Sequence, residues 1–279
     1  MRLATFTHGG TTRAGVVMGD EIVDLGCDMM AVLAGGLERV AGAVGKIRLP
    51  LAQVRLEAPV LRPPKFLAVG LNYADHVAES GAERPALPTF FNKQSTCVTG
   101  PYDPIHRPRV SQLLDYEGEL GFVIGRRCRH VPRARAAEAI AGWLVLNDLS
   151  VRDWQLRVPT WTMGKSFDTH GPMGPWIVTA DELGDPHALR LRTWVNGELR
   201  QELSTAQLIF DSFALVEHLS TAFTLEPGDV VATGTPGGIG MAMNPPRFLV
   251  PGDVVRVEIE RIGHIENRVV DEPDDTARL

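Results

Sequence analysis

The stretch Leu114-Asp115-Tyr116-Glu117-Gly118-Glu119-Leu120-Gly121-Phe122-Val123-Ile124 is where this sequence first offers chemistry. In an extended strand the side chains alternate between faces. Glu117 and Glu119 then point the same way, roughly 7 Å apart, while Leu120, Phe122 and Ile124 point to the other face, towards a core. Two like charges on one face repel unless something positive lies between them. A hard divalent cation with oxygen ligands is the simplest remedy, and a solvated strand face is the plain alternative. A third carboxylate favours the cation. Gly142-Trp143-Leu144-Val145-Leu146 is apolar on both faces, as a buried strand is, and ends in Asn147-Asp148. An acid at the end of a buried strand is costly unless it is paired or coordinated. Glu117, Glu119 and Asp148 are therefore candidate ligands of one all-oxygen site with room for waters, an arrangement that suits a catalytic Mg2+.

Other residues suit acid–base and anion chemistry. In Asn72-Tyr73-Ala74-Asp75-His76-Val77-Ala78-Glu79-Ser80-Gly81, His76 and Glu79 are three apart and share a face of a helical turn that Gly81 can end. The carboxylate can orient the imidazole and make it more basic, so that the pair activates a water; an ordinary surface His–Glu pair has the same spacing. Gly164-Lys165-Ser166 is not a phosphate loop, because the glycine that motif needs at position 159 is Pro159. Lys165 reads instead as a cation for a substrate carboxylate or a developing enolate, or as a surface lysine. Arg152 and Gln155 follow Asp148 by four and seven residues, which on a helix puts them on its side. For Arg152 an ion pair with Asp153 or another neighbour is an equal alternative. Gly234-Thr235-Pro236-Gly237-Gly238-Ile239-Gly240 suggests nucleotide binding only superficially. Pro245 and Pro246 break the stretch that follows, and without a helix N-terminus the phosphate argument fails.

Taken in order, these segments resemble the fumarylacetoacetate hydrolase family. The resemblance rests on Gly70-Leu71-Asn72-Tyr73-Ala74-Asp75-His76, on Glu117-Gly118-Glu119-Leu120, and on Asn147 to Gln155. It continues through Gly164-Lys165-Ser166-Phe167-Asp168-Thr169 with Gly171-Pro172-Met173-Gly174-Pro175, and ends with Thr233 to Gly240. It runs from about Phe66 to Glu272. It implies a β-rich α+β fold, a mixed β-roll or sandwich with a small N-terminal domain, and a homodimer. It also implies Mg2+ or Mn2+, with Ca2+ a further candidate, held by Glu117, Glu119 and Asp148. The same resemblance puts His76, Glu79 and Lys165 in catalysis and Arg152, Gln155, Thr235, Gly234 and Tyr73 around the substrate. The activity it implies is metal-dependent hydrolysis of a C–C bond in a 2,4-dioxo acid such as an acylpyruvate or fumarylpyruvate. Isomerisation, hydration or decarboxylation of a related 2-oxo dicarboxylic acid is the alternative within the family. A non-catalytic protein that keeps the fold and binds an organic acid is the alternative of another class.

The elements that must position these residues are mostly strands. Short runs at 3–6, 14–18 and 21–25, the last two joined by Gly19-Asp20, and a helical stretch over 29–44 weakened by Gly35 and Gly36, form a small module of residues 1–60. Leu61-Arg62-Pro63-Pro64-Lys65 punctuates the chain before a catalytic unit of residues 61–279. There, strands are expected over 66–71, 119–124, 142–146, 176–178, 191–195, 229–233 and 254–259, and helices only over 134–141 and 205–222. Strands that do not alternate with long helices argue against a doubly wound parallel sheet. Pro227-Gly228-Asp229-Val230-Val231 recurs as Pro251-Gly252-Asp253-Val254-Val255, two turn-to-strand units that bracket the glycine-rich loop. The segment Pro88 to Lys93 reads either as pocket lining or as a packed strand.

Composition bounds the rest. The chain has 279 residues, 44% hydrophobic and 22% charged, enough for a substantial core. A net charge of -6 gives no electrostatic case for nucleic acid or an anionic membrane as partner. The first ten residues lack the apolar stretch of a signal peptide, and no run nears the roughly 18 apolar residues of a membrane span. Cys27, Cys97 and Cys128 are scattered and form neither a disulfide framework nor a C-x-x-C site. A cytoplasmic protein with reduced thiols is expected, and the family resemblance implies a small 2-oxo or 1,3-dicarbonyl acid as its partner.

Overall fold

The computed structural model describes residues 1–40 and 47–276. It is β-rich, and its architecture follows from strands that are apolar on both faces. Gly118–Ile124 and Ile140–Asn147 pair antiparallel from Gly118↔Asn147 to Ile124↔Ile140, and nearly every residue of both is buried. They lie in the middle of the main sheet. On one side come Gly171–Val178, Arg2–His8, Thr11–Met18, Glu21–Asp24 and Arg48–Pro50; on the other come Val230–Ala232, Phe66–Gly70 and Thr89–Lys93. A second sheet of five strands runs Glu198–Ser204, Arg190–Val195, Val254–Ile259, Gly263–Asp271 and Ile105–Arg107.

Alternation along the central strands fills two cores. Leu120, Phe122, Ile124, Trp143 and Val145 pack with Leu191, Val255, Val257 and Ile265 of the second sheet and with Leu215, Val216 and Leu219 of the Ser212–Ala222 helix. Val123, Leu144 and Leu146 face the other way, onto Phe66, Ala68, Leu3, Ala14 and the Met29–Gly35 helix residues Val32 and Leu33. The N-terminal strands extend the main sheet, through Arg2↔Val178 and Leu3↔Ile177, and Gly19 (φ 61°) turns the hairpin between the next two.

Several elements differ from their sequence expectation for local reasons. Residues 134–141 are a 3-10 stretch, Arg133–Ala139, which gives way at Ile140 to the β-branched and aromatic run of the central strand. The 205–222 helix is broken. Thr205–Gln207 makes one 3-10 turn, and the α-helix starts at Ser212 because the Asp211 carboxylate caps the Ala214 N–H at 2.8 Å. The 29–44 helix stops at Gly35, where Gly36 takes φ 85°, and Leu37–Arg39 adds one 3-10 turn. The end of that stretch, 41–44, lies outside the described residues. The strand expected at 176–178 runs from Gly171 despite Pro172 and Pro175. Pro175 is tolerated because the Arg2–His8 strand pairs only at Val178 and Ile177 and the register against Ile140–Asn147 shifts between Trp143 and Val145, while Pro172 lies opposite Thr99 of the two-residue Val98–Thr99 strand. Among the described residues, no helix is long and apolar enough to cross a membrane.

Candidate functional site

The carboxylates meet where the two central strands end. Glu117 immediately precedes Gly118–Ile124 and Asp148 immediately follows Ile140–Asn147, so the Gly118↔Asn147 pairing brings the two acids side by side. The Asp148 N–H donates to the Glu117 carbonyl at 2.8 Å, and the Glu117 N–H donates to Asn147 Oδ1 at 2.9 Å. Ligand oxygens of Glu117, Glu119 and Asp148 lie within 4.8 Å of one another, and all three residues are buried.

Three buried cations hold two of these acids. Lys165 Nζ donates to Glu117 Oε2 at 2.7 Å and Asp148 Oδ2 at 2.8 Å. Lys93 Nζ donates to Asp148 Oδ1 at 2.6 Å and to the Lys165 carbonyl. Arg152 Nη1 donates to Glu117 Oε1 at 2.6 Å and to Gln155 Oε1 at 2.9 Å, while its Nε donates to Asp115 Oδ2 at 2.9 Å. Asp115, also fully buried, further accepts the backbone N–H groups of Tyr116, Gly240 and Met241.

Glu119 stands apart. It is 1% exposed, accepts the Gly234 N–H at 2.6 Å, and forms no ion pair among the described residues. Four buried carboxylates (Asp115, Glu117, Glu119, Asp148) thus face three cations (Lys93, Arg152, Lys165). Burial, then Asp148 and then Glu117, push the Glu119 carboxyl well above its ordinary range. Burial pushes Glu117 up as well, but Lys165 and Arg152 outweigh it and hold that carboxyl down at about 2. For Lys165, burial opposes the charge and Asp148 and Glu117 more than restore it, so the ammonium is retained. The set fits a hard divalent cation: its donors are carboxylate oxygens, they converge, and one of them lacks a positive partner.

The other expected residues surround this cluster. His76 and Glu79 lie on the short Ala74–Glu79 helix, with His76 Nδ1 2.8 Å from Glu79 Oε1. His76 is close enough to Glu117 to help lower its carboxyl. Gly81 (φ 66°) follows the helix, and its N–H bonds the Ala78 carbonyl. Tyr73 precedes it, with no exposure and a hydroxyl that has no hydrogen-bond partner among the described residues. Burial, then Glu119 and Asp75, raise that phenol above its ordinary range. Arg152 and Gln155 share a face of the Arg152–Gln155 helix, as their spacing requires, but Asp148 is not on it, because Ser150–Val151 pairs as a strand with Leu114–Asp115 in between. The neighbours of Arg152 are Asp115 and Glu117 rather than Asp153, which is bonded to Ser111. The Thr235 hydroxyl donates to the Gly118 carbonyl at 3.0 Å and accepts from Gln201 at 2.8 Å.

Sequence reasoning left Asp115, Gln201 and Asp75 out of the site, and reached Lys93 only as the end of a segment read either as pocket lining or as a packed strand; it is a strand whose last residue enters the site. Lys93 carried a usable signal. In Thr89–Lys93 it shares the inward phase with Phe91, and a lysine in that phase needs a buried partner. Gln201 had none, since its carboxamide meets Gly118 N–H, Thr235 and the Pro236 carbonyl only through the pairing of the two sheets.

Residues 65–270 match the family model described as fumarylacetoacetate (FAA) hydrolase C-terminal, and residues 1–59 match one described as Rv2993c-like, N-terminal. Oxaloacetate tautomerase fahd2, mitochondrial, of Xenopus laevis is 44% identical over 224 residues, which cover 80% of this chain and 70% of that protein. Among solved structures, 5-carboxymethyl-2-hydroxymuconate delta-isomerase from Mycobacterium smegmatis superposes with a TM-score of 0.83 at 38% identity, covering 98% of this chain and 100% of that one. Maleylpyruvate hydrolase from Sphingobium sp. SYK-6, solved with manganese (II) ion and pyruvate, superposes with a TM-score of 0.82 at 35% identity, with the same coverage.

Proposed function

Because this chain belongs to the fumarylacetoacetate hydrolase family, we propose that it is a divalent-cation-dependent hydrolase cleaving a C–C bond in a 2,4-dioxo acid of the acylpyruvate or fumarylpyruvate type. One observation carries the reading: three buried carboxylates converge within 4.8 Å, and one of them, Glu119, has no ion-pair partner among the described residues. Glu117, Glu119 and Asp148 would hold Mg2+ or Mn2+, with Ca2+ a third candidate, and that cation supplies Lewis acidity to the oxygens of a chelating 2-oxo acid. The manganese and pyruvate in the Sphingobium structure support this assignment.

The chain's own residues supply the rest. Glu79 fixes the imidazole through Nδ1, which leaves His76 Nε2 to take a proton from a water that attacks the distal carbonyl. The C3–C4 bond then breaks, and its electron pair leaves on the pyruvate fragment as an enolate that takes up a proton at C3. The water oxygen ends in the second carboxylic acid. The Lys165 ammonium, fixed between Glu117 and Asp148, stabilises the negative charge that develops. Of the expected substrate contacts, the Tyr73 side chain has no polar partner among the described residues. Arg152, Gln155, Thr235 and the Gly234 amide are already bonded to protein groups, and they shape the pocket through those bonds. The two family matches support a division into a small N-terminal domain of residues 1–60 and a catalytic domain of residues 61–279. Sedimentation tests the homodimer that the family resemblance implies.

A second reading, tautomerisation or isomerisation of a 2-oxo dicarboxylic acid, is supported by the names of the Xenopus and Mycobacterium relatives and uses the same residues. A panel of acetylpyruvate, fumarylpyruvate and oxaloacetate, each with Mn2+, with Mg2+ and with chelator, separates the two. Hydrolysis releases pyruvate, which lactate dehydrogenase detects, whereas tautomerisation changes the enol absorbance without release. Oxaloacetate decarboxylation also yields pyruvate, but with carbon dioxide. If the protein binds oxalate with Mn2+ yet turns over none of the panel, it is a binding protein and the enzymatic reading fails.

A further inference from the structure

The glycine-rich loop that follows Val230–Ala232 presents two consecutive backbone N–H groups, at Gly237 and Gly238, in the manner of a small anion site. Both are taken by carboxylates of the Ala74–Glu79 helix. Gly237 N–H donates to Asp75 Oδ2 at 3.0 Å, and Gly238 N–H donates to Glu79 Oε2 at 2.8 Å. Asp75 and Glu79 are four residues apart, one turn of the same helix face. Each divides its two oxygens. Asp75 Oδ1 accepts the His76 N–H at 2.8 Å, and Glu79 Oε1 faces His76 Nδ1 at 2.8 Å. The histidine is therefore held through its backbone by one tethered acid and through its ring by the other.

The loop is itself fixed from beneath. The Tyr116 hydroxyl donates to the Gly238 carbonyl at 2.9 Å, Gln201 Nε2 donates to the Pro236 carbonyl at 2.9 Å, and Asp115 takes the Gly240 and Met241 amides. Glycine is required at 238, where φ is 101° and a Cβ would lie 2.1 Å from the Arg200 carbonyl oxygen. At 237 the backbone is ordinary, but a Cβ would stand 3.1 Å from Asp75 Oδ2 and 3.5 Å from Glu79 Oε2.

We propose that Asp75 and the Gly237–Gly238 amides are positioning groups for the His76–Glu79 pair. The loop fixes the helix through Asp75 and fixes the Glu79 carboxylate that orients the imidazole. This rests on the assignment of His76 as the base. It adds that the glycine loop acts through protein carboxylates, and that Asp75, whose two oxygens are both taken by backbone N–H groups, controls turnover.

Two substitutions press on the tether from opposite sides. Asp75→Asn leaves one acceptor oxygen for two N–H groups. Gly237→Ala adds one methyl between loop and helix and changes no functional group. Three measurements are made on the full chain, with folding checked by thermal melting: steady-state kinetics with Mn2+, Mn2+ affinity, and NMR of the His76 ring nitrogens together with hydrogen exchange at the Gly237 and Gly238 amides. Both variants are expected to lose about tenfold or more in kcat, with KM and Mn2+ affinity within about twofold of the parent. Exchange at the two amides is expected to rise about tenfold, and the His76 Nδ1 signal to shift as its hydrogen bond to Glu79 loosens. Unchanged exchange and an unchanged Nδ1 signal in both variants overturn the tether, as does parental kcat in both. If the parent itself turns over no substrate, the assigned reaction fails, while the exchange and ring-nitrogen data still decide whether the loop holds the helix.

Discussion

Replacing Glu119 by Gln tests the electrostatic core of the site without asking for any substrate. The carboxamide keeps an oxygen for the Gly234 N–H, now 2.6 Å from Glu119 Oε2, so packing is preserved and only the charge is removed. In the folded, cation-free protein the Glu119 carboxyl is pushed up by burial, Asp148 and Glu117, so the folded state holds a proton that the unfolded chain has released. Stability linked to this group is therefore greatest at low pH and is lost as pH rises from the ordinary carboxylate range through the raised folded value. One proton gives at most roughly 1.4 kcal/mol of lost stability per pH unit. In a chain of 279 residues that is roughly 2–4 °C of Tm per unit. Melting curves between pH 5 and 8 in chelator should show a steeper fall for the parent than for Glu119→Gln. Adding Mn2+ should raise the parent Tm, since a ligand at about 100 times its Kd contributes about 2.7 kcal/mol, and should leave the variant almost unmoved. Parallel pH slopes for the two proteins, or an equal Mn2+ response, would refute the reasoning.

Lys93→Met should lower Tm in chelator by more than any surface substitution, because removing one partner of a buried ion pair costs about 3–5 kcal/mol. Mn2+ should recover part of the loss by giving Asp148 a new positive partner, and a melting titration of parent and variant checks both halves. His76→Ala should leave the Mn2+-induced rise in Tm intact and lower kcat by about 10²–10⁴-fold, the usual worth of a general base; parental activity on every active substrate would remove His76 from the role. Glu117→Gln should act oppositely to Glu119→Gln under acid. The parent carboxyl is held at about 2 by Lys165 and Arg152 against its burial, so the stability it contributes is present above the ordinary carboxylate range and is lost as pH falls towards 2. The variant lacks that dependence, and acid titrations followed by circular dichroism compare the two.

What the sequence made legible was what strand periodicity controls. Alternation placed Leu120, Phe122 and Ile124 in one core, and the end of a two-sided apolar strand placed Asp148 beside Glu117. The cations were harder. Lys93 meets Asp148 across 55 residues, and nothing local in Thr89–Lys93 names the partner, although its inward phase shows that one is needed. Arg152 was legible as a polar residue near the site but not in its partners. Asp115 reaches it through the pairing of Leu114–Asp115 with Ser150–Val151, a two-residue ladder too short to leave a pattern. The second sheet suffered similarly. Glu198–Ser204 and Gly263–Asp271 have one face open and many charged residues, so they look like loops until the neighbours that pair them are known. In the glycine loop, the lack of a following helix led the sequence reading away from phosphate but left the loop's amides without a named partner. The carboxylates that use those amides instead lie some 160 residues earlier, at separations of 162 and 159.

A purely structural reading of the cluster would make it a buried ion-pair network, and Lys93, Arg152 and Lys165 supply most of what such a network needs. The charge arithmetic argues against stopping there. Networks kept for stability pair every buried charge, because an unpaired one is more costly than no network at all. Here both oxygens of Glu117 and both of Asp148 are matched by cations, while Glu119, equally buried and on the same strand end, receives only a backbone amide. The two matched acids are thereby fixed in orientation before any ion arrives, and the unmatched one can give up its proton to bind the ion as a carboxylate. That division suits a cation that must be gripped in defined geometry yet keep sites for a substrate's oxygens. Additional acids would tighten the grip but leave the ligands free to swing. The lysines weaken the net field and hold the ligands still, which is what a site that must present a Lewis acid in a fixed direction requires.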